Sequence, residues 1–203
     1  MKTSLQSYLT TLMLAKIAGW YGVRPWYVPW VSNSFRGLKM INPRQLRDLV
    51  VYPVLDILAL HKTQDQREAA AQLLLGTAMQ ESECGTYIAQ LTGPALGVWQ
   101  MEPATASDVF NWSDKYNPEL LNPFVMLWKD KEGTLETIRP LSGNLYLACA
   151  LARMLYFRRP EALPAKDDID GQARYYKQWY NTPLGAATVA QYKQNWTRLA
   201  ALL

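Results

Sequence analysis

Residues 66–83, QREAAAQLLLGTAMQESE, constrain this chain more than any other stretch. The run holds no proline, and Ala70, Leu74, Ala78 and Glu81 recur at steps of four, four and three, which places them on one stripe of a helix. A carboxylate therefore ends an otherwise apolar stripe. Burial disfavours its charged form, and so does the partial negative charge at a helix C-terminus, so both effects are expected to raise the Glu81 pKa. An acid that keeps its proton near neutral pH can act as a general acid. The plainer reading of the same pattern is a Glu at the edge of the buried face, reaching water.

The residues downstream of this helix favour the chemical reading. Gly85 stops the helix, and after a short polar link comes GPALGVWQMEPAT at 93–105. Gly93 and Gly97 suit a tight turn or short hairpin, and Pro103 fits the first position of a new helix. Such a ribbon would present Gln100 to a polymeric substrate.

Taken together, Gln80-Glu81-Ser82, GPALGVWQMEPATA at 93–106 and Tyr180-Asn181 resemble, in order, the three motifs of the lytic transglycosylase catalytic domain of the lysozyme-like superfamily. The resemblance spans about 66–196. It implies a mainly α, lysozyme-like helical domain with a small hairpin or turn near the cleft. It also implies a peptidoglycan-degrading glycosidase that cleaves the β-1,4 bond between N-acetylmuramic acid and N-acetylglucosamine. Glu81 would be the acid and base, Gln100 would lie along the saccharide, and Tyr180 and Asn181 would close the site. Ser82 would hold the glycan or orient Glu81. The partners implied are peptidoglycan glycan strands, and no metal or organic cofactor is required.

Two positions depart from the family pattern. Glu102 stands where transglycosylases commonly carry an apolar residue and goose-type lysozymes can carry Asp. Inverting hydrolysis needs a second carboxylate roughly 6.5–9.5 Å from the acid to activate water, whereas transglycosylases let the sugar's own hydroxyl attack. Glu102 is thus a second catalytic candidate, or else a cap for the helix beginning at Pro103. The second departure is Thr182-Pro183-Leu184-Gly185, where the family usually has Ala-Gly, so that rim is expected to be shaped differently.

The remainder reads as scaffold. Hydrophobic residues make up 49% and charged residues 19% of the 203, which excludes a disordered chain. The net charge of +4, without a Lys/Arg cluster, favours an anionic polymer such as a cell wall over nucleic acid. Residues 1–41 are expected to form an N-terminal helix and an aromatic-rich segment, and 42–203 the catalytic domain. The leucine-rich stretch 5–18 is a poor signal peptide, interrupted by Thr10, Thr11 and Lys16, and is too short and polar to span a membrane. Trp20, Tyr21, Trp26, Tyr27, Trp30 and Phe35 either cap the core or form a sugar-stacking or docking surface.

Further helix signals stand at Asn42-Pro43, with Pro53 expected to kink or divide the helix, and over 104–112. Asn117-Pro118 and Asn122-Pro123 each read as a turn or helix start, and 129–140 as a polar loop. Ser142 is a candidate cap for a helix over 143–158, with Asn144 matching an Asn near the start of the comparable family helix. Asp170 is the expected cap of a helix carrying Tyr175, Tyr176, Trp179 and Tyr180, and Thr182-Pro183 the expected start of the last helix. Cys84 and Cys149 are expected to be buried thiols, with Cys84 close enough to Glu81 in sequence to line the cleft. Pairing Cys84 with His61, the only histidine, as a cysteine peptidase has no further motif behind it.

Two function classes remain in view. The first is the glycosidase acting at the bacterial wall, carried in a phage particle or delivered by a separate export or lysis route. The second is a non-catalytic lysozyme-like module of a virion or envelope assembly. An open groove lined by the motif residues favours the enzyme; a salt-bridged Glu81 with the groove filled favours the module.

Overall fold

The computed structural model describes residues 41–90, 92–125 and 138–203. They belong to the second of two units, Met1–Leu38 and Lys39–Leu203. The aromatic segment, apart from Ile41, and most of the expected loop at 129–140 lie outside the described residues. The unit is mainly α-helical, and among the described residues no strand forms beyond isolated bridges.

The first helical run comprises α1 (Pro43–Leu46), a π-helical segment (Arg47–Val51) and α2 (Tyr52–Leu58). Asn42 caps it as expected, its Oδ1 accepting from the backbone N–H groups of Arg44 and Gln45. Pro53 leaves the run unbroken but has no N–H for the Leu49 carbonyl four residues back. That carbonyl accepts instead from the Tyr146 hydroxyl at 2.7 Å. The register shift through the π segment sits just before this proline.

Next comes α3 (Gln64–Ser82), capped by Thr63 Oγ1 and ended by Glu83 and Cys84, both with positive φ. Ala70, Leu74 and Ala78 are buried on the expected stripe. Yet burial runs nearly all round the helix, because Ala69, Ala71, Leu73, Leu75, Gly76, Thr77 and Met79 are covered too. This is a central helix, not an amphipathic one on the surface.

Beyond the site loop lie α4 (Pro103–Tyr116), α5 (Pro118–Val125) and α6 (Ile138–Gly143). Pro118 starts α5 as expected, whereas Pro123 sits inside it, so Asn122-Pro123 is neither a turn nor a helix start. Ser142 lies within α6; the cap of α7 (Leu145–Phe157) is Asn144, whose Oδ1 accepts from Leu147 N at 3.0 Å. Every residue of α7 from Leu147 to Tyr156 is buried, which makes it the second central helix. It packs on α2, α3, α4, α5 and α6. A buried hydrogen bond between Thr77 Oγ1 and the Tyr156 hydroxyl, 2.7 Å, joins α3 to α7.

The chain closes with α8 (Ile169–Trp179) and α9 (Val189–Ala200), both packed on α3. The cap of α8 is Asp168, not Asp170, which pairs with Lys193 instead. The last helix starts at Thr188 rather than at Thr182-Pro183, because Thr188 and Gln191 form a reciprocal capping box. Residues 181–187 are left as an irregular segment beside the site.

Candidate active site

Glu81 sits in the last turn of α3, where the central helix leaves the core. Its Oε1 accepts a 2.6 Å hydrogen bond from the Tyr176 hydroxyl of α8. Burial pushes the carboxyl up to about 7, against which the Tyr176 bond pulls down. Burial also pushes the Tyr176 phenol far above its usual range, so at neutral pH it keeps the proton that it donates to Glu81. The low-dielectric wall is an aromatic column: Tyr176 stacks on Tyr192 with centroids 5.0 Å apart and lies 6.1 Å from Tyr180, itself 5.4 Å from Tyr156. Among the described residues no cation pairs with Glu81.

The loop at 97–100 is pinned at each residue. A Cβ at Gly97, whose φ is +77°, would collide with the Leu141 carbonyl oxygen. The Val98 carbonyl accepts from Ser82 Oγ at 2.6 Å. Trp99, wholly buried, donates its indole N–H to the Leu74 carbonyl at 3.0 Å, and its own carbonyl accepts from the Tyr180 hydroxyl at 2.7 Å. Gln100 adopts a positive φ of 43° and donates its side-chain amide to the Gly97 carbonyl at 2.7 Å and to the Tyr87 carbonyl at 3.3 Å. Leu96 and Met101 exchange both backbone bonds at 3.0 Å across the loop, and Leu96 also bridges Ala89. Residues 97–100 thus form the expected turn, with Gln100 N donating to the Gly97 carbonyl at 3.0 Å, and among the described residues it is closed by single-residue bridges instead of strands.

Ser82, expected at the site, does not line the groove that holds Glu81. It is 1% exposed, holds the Val98 carbonyl and accepts from Gly85 N at 2.8 Å, so it positions the loop. Asn181 follows Tyr180, the C-cap of α8, and its Oδ1 accepts from Lys177 Nζ at 2.9 Å. Lys177 also bonds the Gly185 carbonyl at 2.7 Å, and a Cβ at Gly185 would strike Asn181. The altered rim is therefore a turn folded back on Asn181, with Leu184 at its tip 99% exposed.

Glu81, Gln100, Glu102, Tyr176, Tyr180 and Asn181 all line one groove of about 660 Å³. Its other polar walls are Gln80, Gln90, Thr105 and Thr182, and among the described residues no Lys or Arg lines it. Glu102 occupies the N-cap position of α4 but makes no capping bond with its side chain, contrary to the cap expectation. Cys84 is wholly buried beside Met79, its thiol pushed up to about 12 by burial, and it does not line the groove. Both cysteines are free. Tyr176, which touches the acid, lies outside all three sequence motifs; its signal is the step of four to Tyr180, which puts both rings on one face of α8.

Among the described residues, no helix is long and apolar enough to cross a membrane, and no group of three or more His, Cys, Asp or Glu could hold a metal ion. Comparison with protein-family models, curated proteins and solved structures found no match to the chain.

Proposed function

We propose that this chain is a lysozyme-like glycosidase that cleaves the β-1,4 bond between N-acetylmuramic acid and N-acetylglucosamine in peptidoglycan, with Glu81 as general acid and base. The observation that carries the reading is a carboxyl with a pKa near 7, held by a hydrogen-bond donor, opening into a groove walled by amides and hydroxyls. Neutral polar walls suit a polyol chain. Tyr176 occupies Oε1, so the acid proton sits on Oε2 and goes to the glycosidic oxygen. An oxocarbenium-like centre forms at the sugar carbon. The Glu81 carboxylate then takes the proton from the attacking hydroxyl, which in a transglycosylase is the sugar's own and leaves a 1,6-anhydro ring. Gln100 Oε1 and the Asn181 amide N–H groups remain to bind sugar hydroxyls and acetamides, since their other polar atoms are engaged. The setting attached to this reading is the bacterial wall, reached in a phage particle or by separate export.

Hydrolysis is kept as a second reading because Glu102 lines the same groove and its carboxylate is not engaged in capping α4. The assembly module loses ground, since no cation neutralises Glu81 among the described residues and the groove is open.

Purified peptidoglycan is digested with the protein and with Glu81→Gln, and the soluble muropeptides are identified by mass spectrometry. Anhydro-muramyl products that vanish in the variant support the transglycosylase. Reducing-end products support the hydrolase and make Glu102→Gln the next variant. Absence of product on several wall types defeats the enzyme reading.

A further inference from the structure

A second cavity, of about 730 Å³, opens between the start of α3 and the segment that joins α7 to α8. Its walls include the apolar faces of Leu60, Ala69, Phe157 and Leu163, and Arg153 projects into its lining from the central helix α7. Arg153 is 5% exposed. Its Nε and Nη1 have no acceptor among the described residues, and Nη2 reaches only the Leu60 carbonyl at 3.5 Å. The Phe157 ring lies 5.7 Å from the guanidinium carbon, and among the described residues no carboxylate acts on it.

A buried guanidinium without a counter-charge costs several kcal/mol relative to a paired one or an apolar isostere. The three acids that share the cavity act on other cations: Asp65 pairs with Lys166 at 2.7 Å, Asp167 also acts on Lys166, and Glu161 acts on Arg159. Arg159 contributes a second buried nitrogen, Nε, without an acceptor. The lining of the cavity thus combines a buried guanidinium that lacks a counter-charge with apolar walls.

We propose that this cavity is a binding site for an aliphatic carboxylate, whose charge pairs with the Arg153 guanidinium while its hydrocarbon body covers Leu60, Phe157 and Leu163. One deep cation matches a single negative charge, and apolar walls match a tail that a bare phosphate lacks. The inference is independent of the glycosidase reading, since it uses none of the groove residues.

The test is calorimetric titration of the full chain with hexanoate, hexan-1-ol and inorganic phosphate, repeated on Arg153→Met and on Leu163→Trp. Hexanoate should bind saturably, hexan-1-ol and phosphate at least about tenfold more weakly. Arg153→Met should lower hexanoate affinity by about tenfold or more, while Leu163→Trp should weaken it by filling the cavity with the guanidinium intact. An acetylated dipeptide ending in leucine separates the sources: tighter binding than hexanoate assigns the site to a peptide C-terminus, weaker binding to a free fatty carboxylate. Circular dichroism checks that each variant folds; should Arg153→Met not fold, the hexanoate-to-hexanol ratio on the parent chain and the Leu163→Trp result decide. Equal affinity for hexan-1-ol, preference for phosphate, or no binding of hexanoate by the parent overturns the proposal, the last outcome meaning that water satisfies Arg153.

Discussion

The Glu81 carboxyl titrates near neutral pH, because burial raises it from 4.5 to about 7. Both activity and stability inherit that value. In the proposed glycosidase the acid form is the catalyst, so kcat/KM on peptidoglycan should fall along a limb centred near pH 7, and Glu81→Gln should lose about a hundredfold or more. The native state binds this proton more tightly than the unfolded chain does, so its stabilising share is whole below about pH 4.5 and is lost as the pH rises through about 7. Glu81→Gln escapes that loss: against the parent it should gain on the order of 2–3 kcal/mol between pH 4.5 and 8 in urea unfolding. A stability gap that is flat with pH would show that Glu81 is not buried as an acid. Tyr176→Phe removes the one bond that favours the carboxylate, so its activity limb should move above pH 7, at a stability cost of about 1 kcal/mol. A limb that stays in place would remove Tyr176 from any role in tuning the acid.

The helices show why some of this is legible in the sequence and some is not. Glu81 announces itself because a carboxylate at the end of an apolar helical stripe is visible at short range, and Asn42-Pro43 carries its own cap chemistry. Tyr176 does not, because its bond to Glu81 spans 95 residues and an aromatic at helical spacing reads equally well as core. Its motif neighbours place Ser82 with the substrate, yet its hydroxyl turns inward to the Val98 carbonyl. Proline draws the expected start of α9 to Thr182-Pro183, although the Thr188–Gln191 box supplies more bonds. The all-round burial of α3 is hidden because surrounding it takes α2, α7, α8 and α9 from other parts of the chain. Two substitutions test this packing. Ser82→Ala strands the Val98 carbonyl and the Gly85 N–H, and should cost about 2–3 kcal/mol and lower kcat/KM through the displaced Gln100 loop. Gly76→Ala would add about 1 kcal/mol of helix propensity but drives a methyl into the buried Tyr192 hydroxyl of α9. Overpacking of about 1–3 kcal/mol should win, so urea unfolding should find the variant less stable than the parent. A more stable variant would mean that α9 can move away from α3.

For the whole molecule, charge and groove are separated. The chain carries a net charge of +4, yet among the described residues no Lys or Arg lines the groove, where the two carboxylates lie. In the proposed reading the cations would act on the polymer from outside the site, through a field that salt screens over about 10 Å at 0.1 M and about 3 Å at 1 M. Salt should then weaken capture of an anionic wall without touching the chemistry: KM on intact walls should rise between 0.05 and 0.5 M NaCl by about three- to tenfold, with kcat unchanged. Glu81→Gln, which binds without turnover, should show the same loss in cosedimentation with walls, but its affinity for an uncharged chitooligosaccharide should not move. A fall in kcat with salt would place a functional ion pair inside the groove, where the structure has none among the described residues. Equal salt sensitivity toward the neutral sugar would mean that the net charge plays no part in finding the wall.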